Sequence, residues 1–122
     1  MMTREEAIVY CLTFKEVRED YPFKDTNWTL MRHKENKKAF ACIYMREGHI
    51  WINVKCDPEW RDFWRGAYAS VVPAYHMNKE HWNSIILDGS IKEEDIKRMI
   101  EESYALTQPK KKKIRGNIAI DE

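Results

Sequence analysis

A chain of 122 residues holds one domain of ordinary size, and a hydrophobic share of 43% excludes a disordered chain. The formal net charge of +1 excludes the basic excess that accompanies strong non-specific attraction to nucleic acid. Five Trp, six Tyr and four Phe let a small core form from few side chains and leave rings over for recognition.

Thr3 and Glu6 have the spacing of a capping box. Ala7, Ile8, Cys11, Leu12, Phe14 (partly off the stripe) and Val17 follow at helical spacing, which predicts a helix over about residues 3–19 that Pro22 stops. From Trp28 the period changes to two. Residues 28–32 read as a strand, Lys34-Glu35-Asn36-Lys37 as a polar turn, and residues 39–45 as a central strand apolar on both faces. Arg46-Glu47-Gly48 turns the chain into a third strand over residues 49–55. Its alternation sends Ile50, Ile52 and Val54 one way and His49, Trp51, Asn53 and Lys55 the other.

Asp57-Pro58 starts a second helix, with Asp as N-cap and Pro at the first helical position. Its apolar stripe is Trp60, Phe63, Trp64 and Ala67, with Arg61, Asp62 and Arg65 outside. Pro73 confines the short extended run Val71–Tyr75 to an edge or a loop. Residues 82–87 are the next main strand, turned by Asp88-Gly89. Ser90 and Glu93 suggest a second capping box, opening a last helix that carries Ile91, Ile96, Met99, Ile100, Tyr104 and Leu106 and ends at Pro109.

The predicted order is α-β-β-β-α-β-α. This is an α+β two-layer sandwich, an antiparallel sheet covered by helices on one face. The domain spans residues 1–109, and residues 110–122 form a basic tail expected to be flexible. Lys110 to Lys113 and Arg115, less Asp121 and Glu122, place three net positive charges in that tail and leave about two net negative ones on the body.

Cys11, Cys42 and Cys56 are odd in number and lack CxxC spacing, so they read as reduced buried thiols of a cytoplasmic protein. The first residues carry no apolar leader, and no apolar run approaches the ~20 residues of a membrane span.

The densest polar stretch is Tyr75-His76-Met77-Asn78-Lys79-Glu80-His81-Trp82-Asn83, followed by Asp88-Gly89-Ser90. Such variety is costly to bury unless each group finds a hydrogen-bond partner, so the stretch is a structural polar knot or a recognition site. A separation of five between His76 and His81 suits neither a helical nor a strand metal site, and hydrogen-bonding His residues that pin the loop are the expectation. No cofactor or metal is expected. Catalytic motifs are absent, and Cys56 beside Asp57 has opposing influences on its thiol, so no catalytic residue is assigned.

Three segments carry a resemblance: residues 52–59 (INVKCDPE), residues 72–83 (VPAYHMNKEHWN) and residues 87–90 (LDGS). Over about residues 3–108 the chain resembles the MmcQ/YjbR family, whose members have a frataxin-like (CyaY-like) α+β fold. The residues that match its motif are Asn53, Lys55, Tyr75, His76, Asn78, Lys79, His81, Trp82 and Asn83. The resemblance implies DNA binding through a double wing of strand hairpins, and it implies no catalytic role. Arg32, Lys34, Lys37 and Lys38 surround the first hairpin tip, and Arg46 stands at the second. Trp51, Asn53 and Lys55 form the outer row of the third strand: a stacking ring, a base-reading amide and a phosphate-seeking cation. The bland counterpart is that tip cations keep sheet edges soluble and that Trp51 packs under residues 70–78. The alternative function is a protein-interaction or chaperone-like domain, homodimeric or with another protein, on an open sheet face bearing Trp28 and Trp51. Frataxin-like iron binding would need an acidic ridge. Glu5, Glu6, Glu16, Glu19 and Asp20 are interrupted by Arg4, Lys15 and Arg18, which reads as a solvated face.

Overall fold

The computed structural model describes residues 2–110. Helix α1 (Arg4–Leu12) is followed by β1 (Val17–Asp20), β2 (Thr29–His33), β3 (Ala39–Arg46), β4 (His49–Lys55), α2 (Pro58–Ala67), β5 (Val71–Pro73), β6 (Trp82–Leu87) and α3 (Glu93–Thr107). The strands form one antiparallel sheet in the order β1-β2-β3-β4-β6-β5. The α+β class and the shared core of the first and last helices are as expected. Ala7 and Cys11 of α1, Trp64 of α2 and Ile96, Met99 and Ile100 of α3 pack on Met31, Ala41, Ile43, Ile52, Val54 and Ile85 of the sheet. From Lys111 on, the basic tail lies outside the described residues.

The first helix is shorter than its stripe. The expected capping box is present, with Glu6 N–H donating to Thr3 Oγ1 at 3.1 Å and Thr3 N–H to Glu6 Oε1 at 2.8 Å. The helix stops at Leu12, which is exposed, and Thr13 closes it by donating its hydroxyl to Tyr10 O. Glu16 then takes a left-handed φ of 56°, and Val17 to Asp20 run back as an edge strand on β2. Val17 suits a strand, and pairing with β2 satisfies backbone groups that a longer helix would have had to satisfy internally.

The second stripe is also misread by periodicity. Of Trp60, Phe63, Trp64 and Ala67, only Trp64 is buried; Trp60 is 44% and Phe63 54% exposed. Arg61 and Arg65, expected outside, instead reach across to the loop before β6.

Gly48 follows Glu47 in the two-residue hairpin joining β3 to β4, and both have positive φ, 51° and 81°. That is the mirror-image turn whose twist matches its strands. The expected Ser90 capping box does not form. Asp88 captures the Ser90 hydroxyl (2.6 Å) and N–H (3.0 Å), and α3 opens two residues later with Lys92 as its N-cap.

A buried serine helps to fasten α3 to the sheet. A bulge between β2 and β3 carries Phe40 opposite Lys55, where the β3–β4 ladder lapses. The fully buried Ser103 fills the gap: its hydroxyl accepts from Lys55 N–H (2.8 Å) and donates to Phe40 O (2.6 Å).

Candidate functional site

The functional reading turns on the face of the sheet away from the helices. Strand register puts Cys42 opposite Asn53, Tyr44 opposite Trp51, and Ser84 of β6 beside Asn53 on that face. Asn53 is its hub. Tyr44 and Ser84 both donate their hydroxyls to Asn53 Oδ1 (2.8 Å from Tyr44), and Asn53 Nδ2–H donates to Tyr75 O at 2.8 Å. Tyr75 N–H in turn donates to Ser84 Oγ at 2.9 Å. Two strand side chains thus hold both backbone groups of Tyr75, folding the segment after β5 over the sheet. Burial pushes the Tyr44 hydroxyl up to about 12, against the lowering effect of its Ser84 and Asn53 partners, so it stays a donor.

This covering segment changes the expected outer row. Trp51 is 7% and Asn53 0% exposed, so neither is a free contact residue. The Tyr75 ring stands edge-on to Trp51 at 6.3 Å, and the Arg46 guanidinium lies 4.1 Å over Tyr75 and 4.7 Å over Trp51. The sheet face is closed here by the chain's own residues, because aromatic area is more stable under a ring and a guanidinium than in water. Among the described residues, Trp51 Nε1–H has no hydrogen-bond partner beneath them.

Beside the closed half lies an open cleft of about 590 Å³, within the range of small-ligand sites. Leu30 and Cys42 come from the strands, Phe23, Lys24, Asp25 and Trp28 from the approach to β2, and His76 and Met77 from the covering segment. Two local devices set its walls. Asn27 pairs its side-chain amide with the backbone of Met45, accepting at 3.0 Å and donating at 3.1 Å, as a strand neighbour would. Trp28 is thereby laid on Tyr44, ring centroids 3.9 Å apart and planes 18° from parallel. On the other wall, His76 turns in with a left-handed φ of 61° directly after the pinned Tyr75.

The remaining predicted residues are scattered. Arg32 donates to Asp20 (2.7 Å) and to Lys37 O (2.8 Å), so its charge is already matched. Lys34, Lys37 and Lys38 are exposed, but their hairpin leans on α3, where Asn36 Nδ2–H donates to Thr107 O at 2.9 Å. Arg46 belongs to the aromatic stack and pairs with Glu47, and Lys55 and Trp82 sit half-buried opposite each other at the far end of the sheet. His76, Asn78, Lys79 and His81 are exposed. The loop is pinned by backbone, not by its His side chains as expected: Arg65 donates to Lys79 O (2.6 Å), Arg61 to Glu80 O (2.9 Å), and His81 O accepts from Cys56 N–H (2.8 Å).

All three thiols are buried, and burial pushes Cys42 to about 12 and Cys56 to about 11, the latter against the lowering effect of Arg65 and Arg61. Such thiols are poor nucleophiles at neutral pH. Among the described residues no three His, Cys, Asp or Glu cluster as metal ligands, and no helix is long and apolar enough to cross a membrane.

Sequence reasoning passed over the cleft itself. Phe23, Lys24, Asp25 and Asn27 precede the alternating pattern and read as a plain connection. The available signal was Asn27-Trp28, a short amide donor–acceptor before a large ring at a strand entrance.

Comparison with known proteins gives a consistent picture. The YjbR family model matches residues 12–106. The uncharacterized Bacillus subtilis protein YyaQ is 38% identical over 125 residues, covering 88% of this chain and all of YyaQ. The uncharacterized YjbR of Escherichia coli K12 is 30% identical, covering 84% of this chain and 85% of its own. A crystal structure from Pseudomonas syringae superposes with a TM-score of 0.79 at 29% identity, covering 88% of this chain and all of that one. A Deinococcus radiodurans protein with the domain DUF419 gives 0.77 at 26%, covering 87% and 78%.

Proposed function

The chain belongs to the YjbR family, and on that footing we propose that it is a binding module without a catalytic centre, whose site is the reverse-face cleft beside Trp28. The observation that carries this reading is the Tyr44–Trp28 stack. Tyr44 is held by Asn53 and Ser84, Trp28 by the Asn27 amide, so the ring enters the cleft already fixed and a ligand need not pay to order it. The lining is mainly apolar with Lys24, Asp25 and His76 as polar groups, the composition of a small-ligand or side-chain pocket. The test is a two-dimensional NMR titration of the ¹⁵N-labelled protein with small aromatic and branched aliphatic fragments. Saturable shifts of the Trp28 indole and of Met77, the Met77 shift being lost in Trp28→Ala, support the reading. Shifts spread over the exposed Trp60 and Phe63 instead refute it.

Duplex DNA at the first hairpin is the second reading, favoured by one observation: Lys34, Lys37 and Lys38 are exposed, and none of them stands in an ion pair among the described residues. Each phosphate neutralised steepens the log–log salt dependence by roughly 0.9. Titrations at several salt concentrations would compare the full chain, a chain ending after Gln108, and a variant with the three lysines changed to Gln. Equal slopes for the full chain and the lysine variant remove the hairpin from any DNA contact.

A further inference from the structure

We infer that the cleft takes an alkylated ammonium group, the head of a quaternary amine or of a methylated lysine; the inference rests on the reading of the cleft given above. The rings decide the shape. Phe23 meets Trp28 at 79° with centroids 6.4 Å apart, and His76 is inclined to Trp28 by 47° at 6.5 Å. Planes that meet at such angles form a corner. A flat ligand needs a parallel slot, whereas a rounded head of methyl groups fits a corner and touches several faces at once. Ring faces are negative, so a cation there gains attraction as well as apolar contact. The same sheet face already uses this interaction, with the Arg46 guanidinium over Tyr75 and Trp51.

Charge at the rim agrees. Asp25 lines the cleft; its carboxylate accepts from the N–H of Asn27 at 3.3 Å, and no ion pair engages it among the described residues. Lys24 lines the cleft too, so Asp25 and Lys24 have opposite and separable effects on a bound cation.

The experiment titrates the full chain with choline and with 3,3-dimethylbutan-1-ol, its neutral carbon isostere, following the Trp28 indole by NMR. Choline is expected to bind roughly tenfold tighter, the scale of a partly desolvated cation–π contact. Asp25→Asn is expected to weaken choline severalfold and leave the alcohol unchanged, and Lys24→Gln to strengthen choline. Both substitutions lie in an exposed segment, so folding is not at stake. Equal binding of the two probes, or indifference to Asp25→Asn, overturns the ammonium inference while the apolar cleft stands. Failure of both probes to shift Trp28 overturns the ammonium inference, and fragment binding at the same indole then decides the cleft separately.

Discussion

Asn53 and Tyr75 are 22 residues apart, yet the amide of one donates to the carbonyl of the other at 2.8 Å across the buried sheet face. That bond, with the return bond from Tyr75 N–H to Ser84, converts a loop into a cover. It closes the sheet over Trp51, and it sets His76 and Met77 as one wall of the cleft. The stretch that the sequence offers as a polar knot or a recognition site is tied down at Tyr75 and lines the cleft at His76 and Met77.

Replacing Asn53 by Ala therefore removes the shared acceptor of the Tyr44 and Ser84 hydroxyls and the donor to the Tyr75 carbonyl together. Buried groups left unpaired cost about 1–3 kcal/mol apiece before relaxation, and a loss of roughly 2–4 kcal/mol in urea unfolding is expected. Asn53→Asp keeps the acceptor for both hydroxyls but loses the donor to Tyr75. It should cost stability as well, and it should broaden the His76 and Met77 resonances more than those of the helices. A loss under 1 kcal/mol for the Ala variant would mean that the cover is held by ring packing alone.

The opposite outcome is expected for His81. Its ring is exposed and makes no hydrogen bond among the described residues, while its carbonyl oxygen takes the Cys56 N–H at 2.8 Å. His81→Ala should stay within about 0.5 kcal/mol of the parent, as surface substitutions do. Asn78 is exposed too, but its Oδ1 accepts from Glu80 N–H at 2.8 Å, so Asn78→Ala should cost slightly more, about 0.5–1 kcal/mol. Thermal melts of both variants measure the difference.

Period and turn chemistry made most of the fold legible. Alternation through Ile50, Ile52 and Val54 fixed the helix-facing row of β4, and Asp57-Pro58 and Glu47-Gly48 fixed a helix start and a hairpin. Period alone fails where a short stretch serves two elements. Leu12 and Val17 continue the stripe of α1, yet the chain leaves the helix between them, because pairing with β2 is a long-range contact that no local pattern records. Trp51 shows the same limit. Alternation placed it on the correct face, but whether that face meets water depends on a segment 24 residues away folding back over it. The cleft was illegible for a related reason: its walls come from residues 23–25, 28, 30, 42 and 76–77, which meet only when the sheet has formed.

Ser103 gives a prediction about cooperativity. Its hydroxyl links α3 to the broken end of the β3–β4 ladder, and it is fully buried. Ser103→Ala removes the partner of both Lys55 N–H and Phe40 O, for an expected loss of about 1–3 kcal/mol. Hydrogen exchange at Lys55 N–H should rise by more than the global change accounts for, since that amide loses its acceptor. Exchange rising equally along all of β4 would assign the cost to global destabilisation.

His33 makes the fold sensitive to pH between neutral and mildly acidic conditions. It is 2% exposed, flanked by the Phe40 and Tyr104 rings at 5.3 and 4.6 Å, and its Nε2 lies 2.8 Å from Thr107 Oγ1. The Thr107 hydroxyl donates to Ser103 O at 2.7 Å, so His33 Nε2–H is the donor in that pair. Burial disfavours the imidazolium and holds its pKa below the ordinary 6.5, although a backbone acceptor at Tyr104 pulls upward. The unfolded chain then binds more protons than the native one between the depressed value and 6.5. Stability contributed by neutral His33 is fully present above about 6.5 and is lost as pH falls below it. Glu102 works in the opposite sense, since burial raises its carboxyl above 4.5 and its contribution falls as pH rises through that region. Comparing slopes separates the two. Urea midpoints of the parent should fall from pH 7.5 to pH 5.5 more steeply than those of His33→Gln, which keeps a donor towards Thr107 without a titrating group. Parallel slopes would show that His33 is protonated in the native state at no cost, and that another group governs the acid limb.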